Sequence, residues 1–192
     1  MDSKIYALVG PYASGKRTLL RKIIQLGVHY IPMYTTRVYK EGANLDDINH
    51  TITQEEFAQG DFITKVSHQG HYYGMKKKDV LSALTDHKKN IIILQAGAIS
   101  QIQKLIGSSL VTIYILSDYV TLVSRMLMLG CTNDEIKYQL EYAEDNKEFD
   151  SWKLTNYIVK NVGDENVALQ QVLAIMGLTA LRPADELREL VK

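Results

Sequence analysis

The sequence predicts an α/β fold built on a buried, doubly wound parallel sheet. Apolar, β-rich runs recur along the 192-residue chain and are separated by segments with helical apolar spacing, an alternation typical of βαβ units. These runs are 5–9, 91–94, 110–116 and 157–159. The first run leads directly into Gly-x-x-x-x-Gly-Lys, from Gly10 to Lys16, and then into a helical pattern. The order of strand, glycine loop and helix predicts a phosphate-binding loop (P-loop).

The elements that follow the loop each have a local reason in the sequence. The first helix is predicted over 18–26, because apolar residues recur there at helical spacing and Gly27 ends the pattern. Between Tyr34 and Lys78 the alternation breaks, and polar residues, glycines, Tyr and His appear without long apolar periodicity. This stretch is interpreted as an insertion over the sheet. The lysine triplet 76–78 is interpreted as a solvated helix start.

A second polar interruption follows the helix predicted around 118–128. Gly130 is a helix stop, and Thr132 is predicted to be the N-cap of the next helix because acidic residues occupy its first turn. This pair predicts a small helical flap. Trp152 is interpreted as a core residue, and a closing helix is predicted over 183–191 because Pro183 stands near a helix start.

The composition excludes several classes of protein. Apolar residues make up 46% of the chain, and 22 basic residues balance 22 acidic ones at a pI near 7.0, so no long-range field favours nucleic acid or an acidic membrane. A single Cys131 excludes an internal disulfide, and the histidines lack metal-ligand spacing. No apolar stretch reaches membrane-spanning length, and we expect no secretory signal, because the first residues lead directly into a predicted strand. We therefore expect a cytoplasmic protein with no nucleic-acid, membrane or structural-metal partner.

The P-loop predicts binding of a polyphosphate. Gly10 and Gly15 permit backbone angles that let N–H groups converge on a phosphate, and Lys16 adds a mobile cation. The predicted contacts to a donor nucleotide are Gly10, Ala13, Ser14, Gly15, Lys16, Arg17 and Thr18. Arg17 stands where the motif has a Ser or Thr that binds Mg²⁺, and the Thr18 hydroxyl is rotated from that direction by about 100 degrees. An ordinary glycine-rich turn is the competing interpretation.

Further motifs after the loop resemble the guanylate kinase family in order and spacing over nearly the whole chain. They are Tyr34-Thr35-Thr36-Arg37, then Glu55-Glu56-Phe57, then Gly70-His71-Tyr72-Tyr73-Gly74. The resemblance implies a P-loop three-layer fold in one domain, 1–192, with a parallel core sheet, a mixed α/β insertion that binds a nucleoside monophosphate, and a helical lid. The implied bounds are core 1–33, 77–123 and 148–192, insertion 34–76 and lid 124–147.

The resemblance also implies site residues, with ATP and Mg²⁺ as cofactors and GMP as acceptor. The acceptor would be held by Thr35, Arg37, Lys40, Tyr72 and Tyr73. Lys16, Arg37 and the lid residue Arg125 would be catalytic, and Asn161 would lie near the donor base. The competing interpretations are a surface charge for Arg37 and Arg125, packing for the two tyrosines and a turn residue for Asn161.

The chain departs from the family at several of these sites. The positions that bind guanine in the family hold Thr64, Met75 and Leu94, so no carboxylate serves the base. Arg17 and the apolar end of the run 91–94 occupy the positions that order the metal. Leu129 and Gln139 replace two lid arginines, and Ala43 and Asn49 replace two polar groups of the insertion.

Three functions remain open from the sequence. The first is an ATP-dependent phosphotransferase of guanylate kinase type that acts on a nucleotide. The second is a catalytically impaired pseudokinase that serves as a nucleotide- or protein-binding module. The third is an activity like that of ribose 1,5-bisphosphate phosphokinase. The expected partner is a nucleotide or another phosphorylated small molecule, joined in the second case by a protein.

Overall fold

The computed structural model describes residues 3–38 and 49–179 of the chain. Within them lie nine strands and seven α-helices. The strands are β1 (Lys4–Val9), β2 (His29–Tyr30), β3 (Tyr34–Thr35), β4 (His50–Thr51), β5 (Phe62–His68), β6 (His71–Lys76), β7 (Lys89–Ile93), β8 (Leu110–Leu116) and β9 (Tyr157–Lys160). The helices are α1 (Lys16–Gln25), α2 (Gln54–Gln59), α3 (Lys77–Asp86), α4 (Ile99–Ile106), α5 (Tyr119–Met128), α6 (Asn133–Asp145) and α7 (Glu165–Ile175).

Five strands form the core sheet in the order β2-β7-β1-β8-β9, and every pair in it is parallel. Apolar clusters cover both faces. One cluster joins the sheet to α3 and α4, and the other joins it to α1 and α7. The predicted α/β class, with helices on both sides of a parallel sheet, is therefore confirmed. The P-loop leaves the central strand β1, which has a hydrogen-bonded neighbour on each side.

The insertion forms a second sheet of four strands in the order β4-β3-β6-β5. Its hairpin β5–β6 turns at Gln69 and Gly70, and both residues have positive φ angles, of 51° and 75°. Two positive φ angles in a two-residue turn match the right-handed twist of the strands. The glycine at position 70 is therefore explained by turn geometry.

The aromatic face of the insertion packs tightly enough to require a second glycine. Phe57 of α2 stacks on Phe62 of β5, with ring centroids 4.5 Å apart. A Cβ at Gly74 would lie 2.7 Å from the Thr64 carbonyl oxygen and 3.0 Å from the Phe62 ring. The Gly74 position thus allows β5, β6 and α2 to meet.

The N-cap predicted at Thr132 is confirmed. Thr132 caps α6: its hydroxyl accepts from the Glu135 N–H at 3.3 Å, and the Glu135 carboxylate accepts from the Thr132 N–H at 2.7 Å. The interpretation of Trp152 as core is wrong, because its side chain lies on a short 3-10 helix and is 42% exposed. The predicted helix 183–191 lies outside the described residues. No helix in the described part of the chain is long and apolar enough to cross a membrane.

Candidate functional site

Left-handed backbone angles shape the P-loop. The φ angles are 144° at Gly10, 60° at Ala13 and 95° at Gly15, the residue that precedes α1. The Ser14 N–H donates to the Pro11 carbonyl at 3.2 Å and closes a turn inside the loop. Because the first N–H groups of a helix lack helical partners, the start of α1 supplies donors for an anion.

Neighbouring strands also approach the two loop glycines closely. A Cβ at Gly10 would lie 2.8 Å from the Ile115 carbonyl oxygen of β8. A Cβ at Gly15 would overlap the side-chain nitrogen of Asn161, just beyond β9. Glycine is therefore required at both positions by sterics as well as by backbone angle.

Lys16 is bound by the loop that it belongs to. Its ammonium donates to the carbonyls of Gly10 and Pro11, each at 2.7 Å. Burial lowers the pKa of Lys16 to about 8; the Glu148 carboxylate opposes this effect and the Arg17 guanidinium adds to it. The predicted cation therefore lies in the loop, and its burial makes the Lys16 ammonium lose its proton more readily than an exposed lysine does.

Glu148 is a site residue that the sequence did not indicate. Burial raises the pKa of its carboxyl group, and the nearby Lys16 ammonium counteracts that rise. Its carbonyl accepts from the buried Tyr114 hydroxyl of β8 at 3.1 Å, which anchors the segment between the lid and β9. The sequence signal is weak, because Glu148 is one of many acidic residues and reaches Lys16 through tertiary contacts alone.

Arg125 and Asn161 both bind the backbone of the P-loop. The Arg125 guanidinium donates to the Ser14 carbonyl at 3.2 Å, the Ser117 hydroxyl at 3.1 Å and the Asn161 carbonyl at 3.1 Å. The Asn161 amide donates to the same Ser14 carbonyl at 2.8 Å. Both predicted residues therefore lie at the loop. A catalytic role for Arg125 and a donor-base role for Asn161 stay predictions.

On the acceptor side, the hydroxyls of Thr35 and Thr36 are used within the insertion. The buried Thr35 hydroxyl accepts from the Arg37 N–H at 3.1 Å, and the Thr36 hydroxyl accepts from the Tyr72 N–H at 2.9 Å. These bonds fix the path of the chain that carries Arg37. Lys40 lies outside the described residues.

The two tyrosines of β6 point to opposite faces of the insertion sheet, as neighbouring residues of a strand do. Tyr72 stacks on Phe57 with ring centroids 5.5 Å apart, and about half of its surface is exposed. Tyr73 is half-buried and pairs in register with Thr35 of β3. Their contact with an acceptor stays a prediction.

The three positions expected to face the base are buried. Thr64, Met75 and Leu94 are 1%, 0% and 2% exposed. The Thr64 hydroxyl accepts from the Met75 N–H at 3.1 Å, and Met75 and Leu94 belong to the apolar cluster on the α3–α4 face of the sheet. These side chains stabilise the packing between insertion and core, and none of them offers a carboxylate to a base.

Three parts of the chain meet at Tyr12 of the P-loop. Burial raises the pKa of Tyr12. An electrostatic interaction and a hydrogen bond with Cys131 of the lid raise this pKa further. The positive charges of Arg37 and Arg17 oppose that rise. The insertion arginine and the loop arginine therefore lie within electrostatic reach of the same phenol.

The insertion and the lid also contact each other directly. His68, at the end of β5, packs edge-on against Tyr142 of α6, with ring centroids 4.5 Å apart. Burial lowers the pKa of His68, and the Arg37 charge lowers it further. The His68 ring therefore joins the insertion to α6, within electrostatic reach of the predicted acceptor arginine.

The residues at the family's metal positions do not fit Mg²⁺. This ion takes oxygen ligands in near-octahedral geometry. Arg17 offers a positive charge there, and Leu94 offers a buried hydrocarbon. Across residues 3–38 and 49–179, no group of three or more His, Cys, Asp or Glu side chains is placed to hold a metal ion.

Comparisons with known proteins show similarity to guanylate kinases. No protein-family model matches the chain. The guanylate kinase of Onion yellows phytoplasma is 26% identical over 196 residues, which covers 98% of this chain and 92% of that protein. The guanylate kinase of a Nostoc species is 25% identical over 152 residues, 76% of each protein. That of Trichormus variabilis is 28% identical over 108 residues, about half of each protein.

Solved structures agree on the fold. A guanylate kinase from Anaplasma phagocytophilum superposes with a TM-score of 0.63 at 14% identity, covering 94% of this chain and 88% of that one. A shikimate kinase from Acinetobacter baumannii gives a TM-score of 0.52 at 12% identity, covering 93% and 96%. Sequence similarity to guanylate kinases extends over most of the chain, and together with the P-loop kinase fold it supports a relationship of this protein to that family as a divergent member.

Proposed function

We propose that the chain is a nucleotide-kinase-like phosphotransferase that binds ATP at the P-loop and a phosphorylated acceptor at the insertion. The observation that carries this proposal is the convergence on Tyr12, where Arg17 of the loop and Arg37 of the insertion act on one side chain. Phosphoryl transfer depends mainly on positioning and on charge stabilisation between donor and acceptor phosphates. Cations from both sides of one cleft supply that arrangement.

The acceptor in this proposal is recognised through its phosphate and not through guanine. Thr64, Met75 and Leu94 are buried and include no carboxylate. A guanine base would leave its N1–H and amino donors without partners, at a cost of several kcal/mol in discrimination. Arg37 retains a guanidinium fork that matches a phosphate. We therefore expect GMP to have no advantage over other phosphorylated acceptors, and ribose 1,5-bisphosphate is one of them.

A coupled assay for ADP release tests the proposal. GMP, dGMP, AMP, CMP, UMP and ribose 1,5-bisphosphate serve as acceptors, with ATP as donor. We expect turnover with at least one acceptor, and we expect Lys16→Ala and Arg37→Ala to abolish it. Lys104→Ala, which changes an exposed lysine of α4, is the matched control and should keep full activity. Absence of turnover with every acceptor contradicts the phosphotransferase.

The hydrogen bonds of Arg125 favour a second candidate, a pseudokinase that binds a nucleotide or a protein without catalysis. The Arg125 guanidinium, the predicted lid cation, makes four hydrogen bonds to Ala13, Ser14, Ser117 and Asn161. In this arrangement Arg125 supports the loop from the core and would have to break these bonds to reach a transferring phosphate. Leu129 and Gln139 supply no other guanidinium.

Thermal unfolding separates the two candidates. A ligand at 100 times its dissociation constant stabilises the folded state by about 2.7 kcal/mol, which raises the melting temperature visibly. Stabilisation by ATP without turnover supports the pseudokinase. If ATP, GTP and GMP all leave the melting temperature unchanged, nucleotide binding is wrong and a protein-binding module remains.

A further inference from the structure

We propose that the chain binds the polyphosphate of its nucleotide without a divalent cation, and that Arg17 supplies the counter-charge. This inference rests on the proposed function, in which the P-loop holds a nucleoside triphosphate. It concerns the binding step and names the group that takes over charge neutralisation.

First, the side chains at the family's metal positions either repel a cation or offer it no ligand. The position directly after Lys16 carries the positive Arg17, and Leu94 at the end of the second core strand is buried hydrocarbon. Thr18 has a hydroxyl, but one residue along a helix rotates a side chain by about 100 degrees. A hydrated Mg²⁺ would therefore meet a guanidinium where it needs an oxygen ligand.

The second step is that Arg17 lies beside the loop. It is the second residue of α1 and is partly buried. Its charge contributes to lowering the pKa of Lys16 and opposes the rise in the pKa of Tyr12, so the guanidinium acts electrostatically on both loop residues. The first turn of α1 contains no acidic residue that would compete with an anion.

The third step is chemical. A guanidinium presents N–H donors in a planar fork that matches two phosphate oxygens, and it stays charged at every physiological pH. Lys16, Arg17 and the positive end of α1 together place fixed positive charge around the loop. This arrangement neutralises a polyphosphate through side chains that fold with the protein, so no ion has to be recruited.

Glu148 is the competing candidate, because a carboxylate near Lys16 could recruit a metal. Burial raises the pKa of Glu148, which favours the neutral carboxyl group. The charged group that attracts its carboxylate is the Lys16 ammonium. A single carboxylate also supplies few of the oxygen ligands that Mg²⁺ requires. We infer that Glu148 is the charge partner of Lys16.

Isothermal titration calorimetry with ATP and with inorganic tripolyphosphate, each in EDTA and in excess Mg²⁺, tests the inference. We expect the dissociation constants of the unaltered protein in the two buffers to agree within about threefold. Arg17→Ser, which restores the usual residue of the motif, should weaken binding in EDTA by about 10- to 100-fold. Arg21→Ser, the same change one turn farther along α1, is the control and should leave binding unchanged.

The outcomes are distinguishable. Binding that requires Mg²⁺, or an Arg17→Ser variant that binds as tightly as the parent in EDTA, overturns the inference while the proposed function stands. A Mg²⁺-dependent gain that Glu148→Gln removes overturns it in favour of Glu148. Absence of binding in both buffers overturns the proposed function itself. Arg17→Lys, which keeps the charge without the fork, should retain part of the affinity, and melting temperatures without ligand check that each variant folds.

Discussion

The side-chain amide of Asn161 donates a 2.8 Å hydrogen bond to the main-chain carbonyl of Ser14, and both residues are buried. This bond joins the end of the last core strand to the P-loop. Arg125 and Ser117 donate to the same carbonyl, at 3.2 and 3.3 Å. The shape of the loop is thus fixed by side chains from elements that lie more than 100 residues farther along the chain.

Asn161→Ala should lower the free energy of unfolding by about 1–3 kcal/mol, because a buried hydrogen bond is lost and its space is left unfilled. Arg125 and Ser117 keep the Ser14 carbonyl paired, which limits the loss. Urea unfolding measures it. Asn166→Ala, on the exposed surface of α7, should change the free energy by less than about 0.5 kcal/mol. Equal effects of the two substitutions would contradict the assigned role of Asn161.

Gly15→Ala and Gly27→Ala separate backbone strain from steric overlap. The two glycines have similar φ angles, 95° and 84°, so both alanines cost about 1–2 kcal/mol in a left-handed conformation. A Cβ at Gly15 also overlaps the Asn161 amide, whereas a Cβ at Gly27 meets nothing within 4 Å. We expect Gly15→Ala to be clearly more destabilising and to lose ATP binding in calorimetry. Retained ATP affinity in Gly15→Ala would argue against the P-loop as the donor site.

Leu94→Ala should lower the free energy of unfolding by about 2–5 kcal/mol, since Leu94 is buried in an apolar cluster. Leu127→Ala on α5 removes a side chain that is 55% exposed and should cost less than about 0.5 kcal/mol. Denaturant unfolding compares the two. A small loss at Leu94 would mean that this side chain faces an open base site.

The affinity for ATP should fall as the pH rises above about 8. The Lys16 pKa in the free protein is about 8, and bound phosphate favours the ammonium form, so binding above that pH takes up a proton. The association constant should then fall toward a slope of about tenfold per pH unit. Calorimetry from pH 7 to 9.5 measures the slope. Lys16→Arg, which stays charged, should bind with no such slope, and a slope that persists in this variant assigns the proton elsewhere.

The same pKa sets the sign of a stability change without ligand. The folded-state pKa of Lys16, about 8, lies below its ordinary value of 10.5. The unfolded chain therefore binds more protons between these values, and the free energy of unfolding contributed by Lys16 rises with pH across this window. Urea unfolding at pH 8 and 10 should show less of this rise in Lys16→Met than in the parent.

Acid should weaken the contact between insertion and lid. Burial and the Arg37 charge lower the pKa of His68, so its neutral ring stabilises the fold above pH 6.5, and this contribution is lost as the pH falls through the folded-state pKa. Hydrogen exchange of α6 below pH 6.5 should accelerate beyond its intrinsic pH dependence. His68→Phe keeps a ring against Tyr142 and removes the proton, and it should abolish the extra acceleration.

Long apolar runs made the core sheet predictable. The bounds of β1 and β8 agree within one residue with the apolar runs 5–9 and 110–116, because polar residues and loops delimit them sharply. A mixed α/β insertion was expected from the resemblance, but its individual strands were not predicted. Its strands β3 and β4 have two residues each, too few to show a period-two pattern. Trp152 was assigned to the core on residue type alone, and the 3-10 helix that exposes it is set by local turns.

The candidate site also has residues that the sequence predicted and residues that it did not. The sequence predicted Gly10, Gly15 and Lys16 because all three belong to one short motif whose spacing determines the shape of the loop. Glu148 and the bonds of Arg125 to the loop depend on contacts between segments far apart in sequence, which no local pattern reports. The burial of Thr64, Met75 and Leu94 follows from how the insertion docks on the core, and the family resemblance indicated only which residues stand there.

The packing of Met75 and Leu94 limits which side chains can stand at these positions. A carboxylate introduced at position 94 would be buried among hydrocarbon side chains, where an unpaired charge is strongly destabilising. A guanine-binding carboxylate at this position would therefore need compensating changes in the packed side chains around it. The P-loop, which follows the central strand β1, does not depend on those changes.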